Sequence, residues 1–139
     1  MRYIVAVDDS DESDDTVTYA ADHAAALDAT LELVHVVVPE TELLGEELVL
    51  QGRKEATEEG HRILEEAAAH AEEGGQDVDV ETQLLSGRPA DAIVDRASET
   101  DADAVFVGHR GLSTEQEEVV GSVAKSIVSK ATVPVTVVR

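Results

Sequence analysis

Three glycines near the C-terminus have a spacing that suits the binding of an anion. Gly108 and Gly111 follow a short apolar run, and Gly121 comes after nine further residues, directly before Ser122. Glycine has no Cβ, so its backbone turns tightly and approaches a ligand closely. If Ser122 opens a helix, that helix presents unpaired N–H groups and a partial positive charge. The spacing predicts a phosphate-binding loop, although a tight turn without ligand would produce the same pattern.

Two charged residues and a histidine belong to the same candidate site. Arg110 is a cation within the glycine loop, and His109 lies beside it. Asp8 follows the apolar run at residues 3–7, where its carboxylate can accept a hydrogen bond from a sugar hydroxyl or from a metal-bound water. A carboxylate at this point can also cap a helix, and the residue type alone does not separate the two roles.

Apolar runs and helical stripes alternate along the chain and supply the elements that would position these residues. We predict strands at residues 3–7, 31–38, 78–84, 104–107 and 133–138, and helices at 17–27, 53–73, 90–97 and 122–130. Asp11, Ser13 and Asp14 are candidate caps for the first helix. Residues 39–52 contain Pro39, Gly45 and Gly52, so we expect a loop there with at most a helical turn.

The alternation of strands and helices predicts an α/β fold in one domain spanning residues 1–139. We expect a doubly wound, five-stranded parallel sheet with strand order 3-2-1-4-5 and helices on both faces. Ligands of such sheets bind at the carboxyl ends of the strands where the winding reverses. The ends of strands one and four are therefore the predicted location of the site.

The chain is strongly acidic, with 31 Asp and Glu against 10 Lys and Arg and a formal net charge of −21. Such a charge repels nucleic acid and anionic membranes, so neither is an expected partner. The acids are spread among apolar residues, and we hypothesise a high-salt cytoplasm in which screening removes the self-repulsion. There is no cysteine, no apolar stretch near about 20 residues, and Met1-Arg2 leads straight into a strand. These features predict a soluble, cytoplasmic protein.

Together, these motifs resemble the universal stress proteins. The pattern Gly108-x2-Gly111-x9-Gly121-Ser122 is similar to the ATP-binding signature of that family. Residues 5–10 (VAVDDS) and 33–37 (LVHVV) resemble its first strand with the following turn and its second strand. Residues 121–124 (GSVA) and 133–138 (VPVTVV) resemble its closing helix and strand. The resemblance covers almost the whole chain except residues 39–52.

The resemblance implies an adenine nucleotide, ATP or else ADP or AMP, and a role for each matching residue. Ala6, Val7 and Asp8 would lie by the adenine and ribose, and Val36 would pack on the base. Gly108, His109, Arg110 and Gly111 would wrap the ribose and phosphate, and Gly121, Ser122 and Val123 would hold the phosphates. Binding and signalling in a stress response are implied, with slow ATP hydrolysis at most.

Two departures from the family pattern affect the phosphate side. Ala124 stands where ATP-binding members often have a hydroxyl residue, and Glu115, Glu117 and Glu118 crowd the loop with negative charge. A divalent cation bridges carboxylates and phosphates in many nucleotide sites. We therefore expect Mg²⁺- or Mn²⁺-dependent binding, with Asp8 as a candidate metal ligand.

The last strand carries a separate prediction about assembly. Residues 133–138 are apolar on both faces although the strand should lie at a sheet edge, and a bare edge invites pairing with another chain. The family resemblance implies a homodimer formed by antiparallel pairing of this strand. The alternative is a monomer protected by Arg139 and the sheet twist.

Three other functions compete with nucleotide binding for this fold. A receiver domain requires a phosphoacceptor Asp after strand three and a Lys after strand five, and the chain has neither. A flavodoxin-like carrier requires aromatic residues for the flavin ring, and Tyr3, Tyr19 and Phe106 fall in predicted core positions. The serious alternative is a dimeric interaction module of the same family that binds no nucleotide. The five histidines show no metal-ligand spacing, and no catalytic triad can be recognised.

Overall fold

The computed structural model describes residues 1–38, 46–109 and 121–139, and within the second helix it describes side chains from residue 52 onward. Strands and helices alternate in the order β1 Arg2–Ala6, α1 Asp11–Leu27, β2 Thr30–Val37, α2 Glu46–Glu73, β3 Asp79–Ser86, α3 Pro89–Glu99, β4 Ala104–Gly108, α4 Ser122–Lys130 and β5 Val135–Val138. None of the described helices is both long and apolar enough to cross a membrane.

The five strands form one parallel sheet in the order β3-β2-β1-β4-β5, which confirms the predicted fold and topology. β1 is central, and the winding reverses between β1 and β4. Alternate residues of a strand point to opposite faces of a sheet, so Tyr3 and Val5 join one core cluster with α1 and α2. Ile4 and Val105 join a second cluster with α3 and α4.

The predicted starts of three elements were wrong: those of α1 and α2, and that of β5, which begins at Val135 rather than at residue 133. α2 begins at Glu46, so residues 46–52 are helical rather than a loop. Gly52 is tolerated inside this helix because it is exposed, with no atom within 4 Å of the position its Cβ would take. The cap of α1 is Ser10, whereas Asp11, Ser13 and Asp14 lie within the helix. Residues 39–45 and 110–120, including Arg110 and Gly111, lie outside the described residues.

An ion-pair cluster closes the amino end of the sheet. Glu32 of β2 is only 1% exposed, and its carboxylate accepts hydrogen bonds from Arg96 Nη2 at 2.7 Å and Arg96 Nε at 3.1 Å. Arg2 Nη1 lies 3.2 Å from Glu32 and 2.7 Å from Glu81. Hydrogen bonding to Glu32 also raises the pKa of Arg96. A buried carboxylate is tolerated because both of its oxygens are paired.

Replacement of Arg96 by Ala should therefore destabilise the fold strongly. We expect a loss of about 2 kcal/mol in the free energy of unfolding, less than for a fully broken buried pair because Arg2 remains beside Glu32. Urea unfolding followed by circular dichroism in molar KCl measures the change. Lys130→Ala is the matched control, since it also removes one positive charge but breaks an exposed pair with Asp91. Equal losses in the two variants would contradict a structural role for the buried pair.

Candidate functional site

A crevice of about 200 Å³ opens at the carboxyl end of the sheet, between β1 and its two neighbouring strands. This is the reversal point at which the fold predicts a ligand. Its walls are mainly apolar. The lining residues are Ala6, Val7, Asp8, Ser10, Ser13, Val34, His35, Val36, Pro89, Ile93, Val107, Gly108, Ser122, Val123 and Ala124.

The crevice exists because a turn carries the chain out of the sheet after β1. The backbone N–H of Asp8 donates to Ser13 Oγ at 3.0 Å, and Asp8 Oδ1 accepts from the Ser10 N–H at 2.8 Å and from the Ser10 hydroxyl. Ser10 Oγ in turn accepts from the Ser13 N–H at 3.2 Å as the cap of α1. Asp8 therefore supports the helix cap without being the cap residue. Within the described part of the chain, its second oxygen makes no hydrogen bond.

The turn leaves the backbone of Val36 unpaired on the crevice side. Thr30 N–H donates to Met1 O, and Val34 O accepts from Val7 N–H at 2.9 Å, so the even-numbered residues of β2 face β1. Val37 O accepts from Gly87 N–H on the opposite, β3 side. Pairing with β1 ends at Ala6 and Val34, and no backbone bond links Val36 to any described residue on that side. One donor and one acceptor of Val36 therefore face the crevice side by side.

The N-terminus of α4 forms the other wall of the crevice. Gly121 is its cap residue, with no side-chain cap and no acidic residue in the first turn. By contrast, the first turn of α1 contains three acids, Asp11, Glu12 and Asp14. The unpaired N–H groups at the start of α4 thus keep their partial positive charge for a ligand anion.

Two backbone hydrogen bonds hold the segment that precedes α4. His109 N–H donates to Val138 O at 2.8 Å, and Gly121 N–H donates to His109 O at 2.5 Å. The backbone on either side of residues 110–120 is therefore joined directly, which places Gly108 and Gly121 near each other. The side chain of His109 is buried, at 7% exposed.

Three carboxylates surround a single arginine, Arg62, near the loop that follows β1. Arg62 of α2 pairs with Asp9 at 3.4 Å, with Glu66 at 2.6 Å and with Glu59. The hydrogen bond from Arg62 lowers the pKa of Glu59 and raises the pKa of Arg62 itself. Because three carboxylates share this guanidinium, the cluster supplies no net positive charge to the crevice.

The structure brings together most of the residues predicted for the site. Seven of them line the crevice: Ala6, Val7, Asp8, Val36, Gly108, Ser122 and Val123. Gly121 caps α4 at its edge, and His109 is buried next to Gly108 without lining it. Arg110 and Gly111 lie outside the described residues. Within the described ranges, no group of three or more potential metal ligands surrounds Asp8.

Sequence reasoning missed His35, Ser10 and Ser13 as site residues. The sequence predicts a turn at Ser10 and a helix cap at Ser13, and the same two residues also hold the turn that carries the chain out of the sheet after β1. His35 has no assigned role in the predicted site. The available signal was a single polar residue inside the otherwise apolar 33–37 run.

The fold and site define a doubly wound α/β protein with a crevice at its reversal point. The model of the universal stress protein family matches residues 1–139, and the chain belongs to this family. The universal stress protein YxiE of Bacillus subtilis is 35% identical over 147 residues, covering 99% of this chain and 98% of the relative.

Two solved structures of the family contain a ligand. A universal stress protein in complex with cAMP superposes with a TM-score of 0.77 at 32% identity, covering 100% of this chain and 97% of the other. The protein from Archaeoglobus fulgidus in complex with dAMP gives a TM-score of 0.72 at 28% identity, with coverages of 100% and 98%.

Ser13→Ala tests the turn that opens the crevice. Removing the hydroxyl leaves the Asp8 N–H without its acceptor in a half-buried place, and we expect the free energy of unfolding to fall by about 1 kcal/mol. Ser129→Ala on the exposed face of α4 is the control and should change stability by less than about 0.5 kcal/mol. Urea titration of both variants measures the two free energies of unfolding. A Ser13→Ala protein as stable as the Ser129→Ala control would show that the turn does not depend on the bond from Asp8 N–H to Ser13 Oγ.

Proposed function

We propose that this protein binds an adenine nucleotide in the crevice between β1, β2 and β4, as a regulatory stress-response protein rather than an efficient enzyme. The observation that carries the proposal is the unpaired backbone of Val36. Adjacent N–H and C=O groups in an apolar crevice are the complement of the adenine edge, where N1 accepts a hydrogen bond and the N6 amino group donates one. Guanine and hypoxanthine present the reverse pattern, with N1–H as donor and O6 as acceptor.

The crevice suits the base in chemistry and size. Val34, Val36 and Val107 contribute apolar walls against which a planar ring can pack. Its volume of about 200 Å³ is below the roughly 300–1,000 Å³ of sites that enclose a drug-sized ligand. The base would therefore occupy the crevice, while the sugar and phosphates would extend along its rim.

The rim offers groups suited to the remaining parts of a nucleotide. The first carboxylate oxygen of Asp8 accepts hydrogen bonds from Ser10. The second makes no hydrogen bond within the described residues and can accept one from a ribose hydroxyl. The Ser122 hydroxyl and the first N–H groups of α4 can donate to a phosphate. The relatives bound to cAMP and dAMP support an adenine nucleotide as the ligand. ATP is the form we propose, because the glycine spacing resembles the family's ATP signature.

A divalent cation belongs to the proposal as a counter-charge. The protein carries a formal charge of −21, and a polyphosphate adds further negative charge to an acidic surface. Mg²⁺ would bind chiefly through phosphate oxygens and water, so a single carboxylate such as Asp8 would suffice on the protein side. The family resemblance implies slow ATP hydrolysis at most, so we propose binding with little or no hydrolysis.

The acidic composition supports the high-salt hypothesis in one respect. Glu32 is the one Asp or Glu that is buried among residues whose side chains are described, so the other described carboxylates lie wholly or partly in contact with solvent. Salt screens such exposed charges efficiently. Molar KCl is therefore the appropriate medium for binding and stability measurements, and a high-salt cytoplasm remains a prediction.

Selectivity between AMP and IMP is the direct test of the proposed function. Isothermal titration in molar KCl should show AMP binding at least about tenfold more tightly than IMP, since IMP faces Val36 with a donor against a donor and an acceptor against an acceptor. ATP titrated with and without Mg²⁺ tests the cation, which should increase ATP affinity and leave adenosine affinity unchanged. Absence of binding by every adenine compound, with and without metal, would refute the proposal.

The edge strand β5 supports a second property, dimerisation. His109 N–H and Val105 N–H donate to Val138 O and Pro134 O, so the even-numbered residues of β5 face β4. The N–H groups of Val135 and Val137 therefore point away from the sheet, and β5 has no further strand beside it among the described residues. We propose that a second copy pairs with this edge. A dimer that binds no nucleotide would be the interaction module considered as the alternative function.

Val137→Pro should convert the dimer to a monomer. Proline removes an outward N–H donor while leaving the β4 ladder unchanged, and light scattering after gel filtration measures the mass. Thr82→Pro is the matched control, because the even-numbered residues of β3 point their N–H groups away from β2 at the opposite edge. A wild-type monomer, or a Val137→Pro dimer, would contradict pairing through β5.

A further inference from the structure

The carbonyl oxygen of Val7 is the acceptor that would pair with the Val36 N–H if β1 and β2 continued their ladder past the crevice. In a parallel ladder that already contains the bond from Val7 N–H to Val34 O, the next bond would run from Val36 N–H to Val7 O. That bond would extend the pairing of β1 and β2 by one step. It would also consume the donor of Val36 that faces the crevice. Within the described residues this bond is not formed.

The side chain of His35 forms a hydrogen bond with this carbonyl oxygen instead. His35 Nδ1 lies 2.9 Å from Val7 O, and because a carbonyl oxygen can only accept, Nδ1 must carry the proton in this bond. Residue 35 precedes Val36 in β2, so its side chain lies on the opposite face of the sheet and reaches Val7 from the side of α1 and α2. His35 thus engages Val7 O from the sheet face, outside the line of the ladder.

The helix above the sheet leaves room for this ring. Gly60 of α2 is buried, and a Cβ added there would lie 3.2 Å from His35 Cδ2 and 2.6 Å from Leu84 Cδ1. A larger residue at this point would press on the imidazole and on Leu84. The close approach of α2 to β2 at a residue without a side chain therefore fits the placement of His35 against Val7.

We propose that His35 is a positioning residue that determines adenine specificity without touching the ligand. Because a carbonyl oxygen can accept two hydrogen bonds, the Nδ1–H acts through orientation: it holds Val7 O toward the sheet face, off the line of the β1–β2 ladder, and so keeps the Val36 N–H available for N1 of the base. This inference rests on the proposed adenine binding, and it adds the side chain that makes the crevice selective. In the protein without ligand, the inference predicts that the bond from Val36 N–H to Val7 O is absent when His35 is present and forms when His35 is replaced by a residue that cannot reach Val7 O.

Three substitutions of His35 separate hydrogen bonding from packing. Asn carries its amide nitrogen at the same position along the side chain as Nδ1 and can restore the bond to Val7 O. Gln places its amide one atom further, like Nε2, and Leu has no donor. AMP and 1-deaza-AMP are the probes, because the second has carbon in place of N1 and cannot accept from Val36. Circular dichroism confirms that each variant is folded.

Wild type and His35→Asn should bind AMP about tenfold more tightly than 1-deaza-AMP, the effect of one buried hydrogen bond. In His35→Gln and His35→Leu this ratio should fall to about twofold or less, since Val7 O captures the Val36 N–H. Gly60→Ala should shift the ratio in the same direction while leaving His35 in place. The same tenfold ratio in His35→Gln, His35→Leu and wild type would overturn the inference.

Amide hydrogen exchange in the ligand-free protein keeps this test independent of the proposed function. The Val36 amide should exchange more slowly in His35→Gln than in wild type, because it gains an intramolecular acceptor, and His35→Asn should match wild type. If AMP fails to bind wild type but this pattern appears, the proposed function fails and the positioning role stands. Equal Val36 exchange in all variants would overturn the positioning role even if AMP binds.

Discussion

The departure of the chain from the sheet after β1 is the constraint on which the site depends. Had the central strand continued, its backbone would have satisfied the ends of both neighbouring strands and left no space between them. The hydrogen bond from Asp8 N–H to Ser13 Oγ directs the chain into α1 instead. Ending the ladder early leaves backbone N–H groups without a strand partner, and the turn supplies an acceptor for one of them, since Ser13 Oγ accepts from Asp8 N–H. The crevice is thus a product of backbone pairing rather than of bulky side chains.

Much of the fold followed from the sequence, for identifiable reasons. Apolar runs such as residues 104–107 and stripes such as Ile63, Leu64 and Ala67 are buried as their periodicity indicates, and the βα alternation leaves few topologies to consider. The start of α2 was harder, since glycine at position 52 weakens a helix without ending it. The cap of α1 is Ser10, which precedes all three predicted candidates, because several neighbouring side chains were chemically able to serve.

Prediction of the site had a different limit. Glycine spacing and family resemblance identify residues that line the crevice, such as Ser122 and Val36, because their expected roles depend on position along the chain. The proposed role of His35 depends on the relation of its imidazole and of the Val36 N–H to one carbonyl oxygen, that of Val7, and this relation is visible only in three dimensions. Likewise, Ser10 and Ser13 have a local role that hides their second effect on the shape of the crevice.

Because Glu32 lies near the amino end of the sheet, the ion pairs that stabilise the sheet and the crevice are at opposite ends of the strands. At the amino end, a carboxylate with two guanidinium partners ties β1, β2 and α3 together, while at the opposite end the backbone of Val36 has no described partner on the side where we propose that the nucleotide binds. The ion pairs that stabilise the sheet and the proposed nucleotide site are therefore separated by the length of the strands. A protein arranged in this way can exchange residues around the proposed site during evolution, and so change its ligand preference, while the ion pairs at the other end stay unchanged.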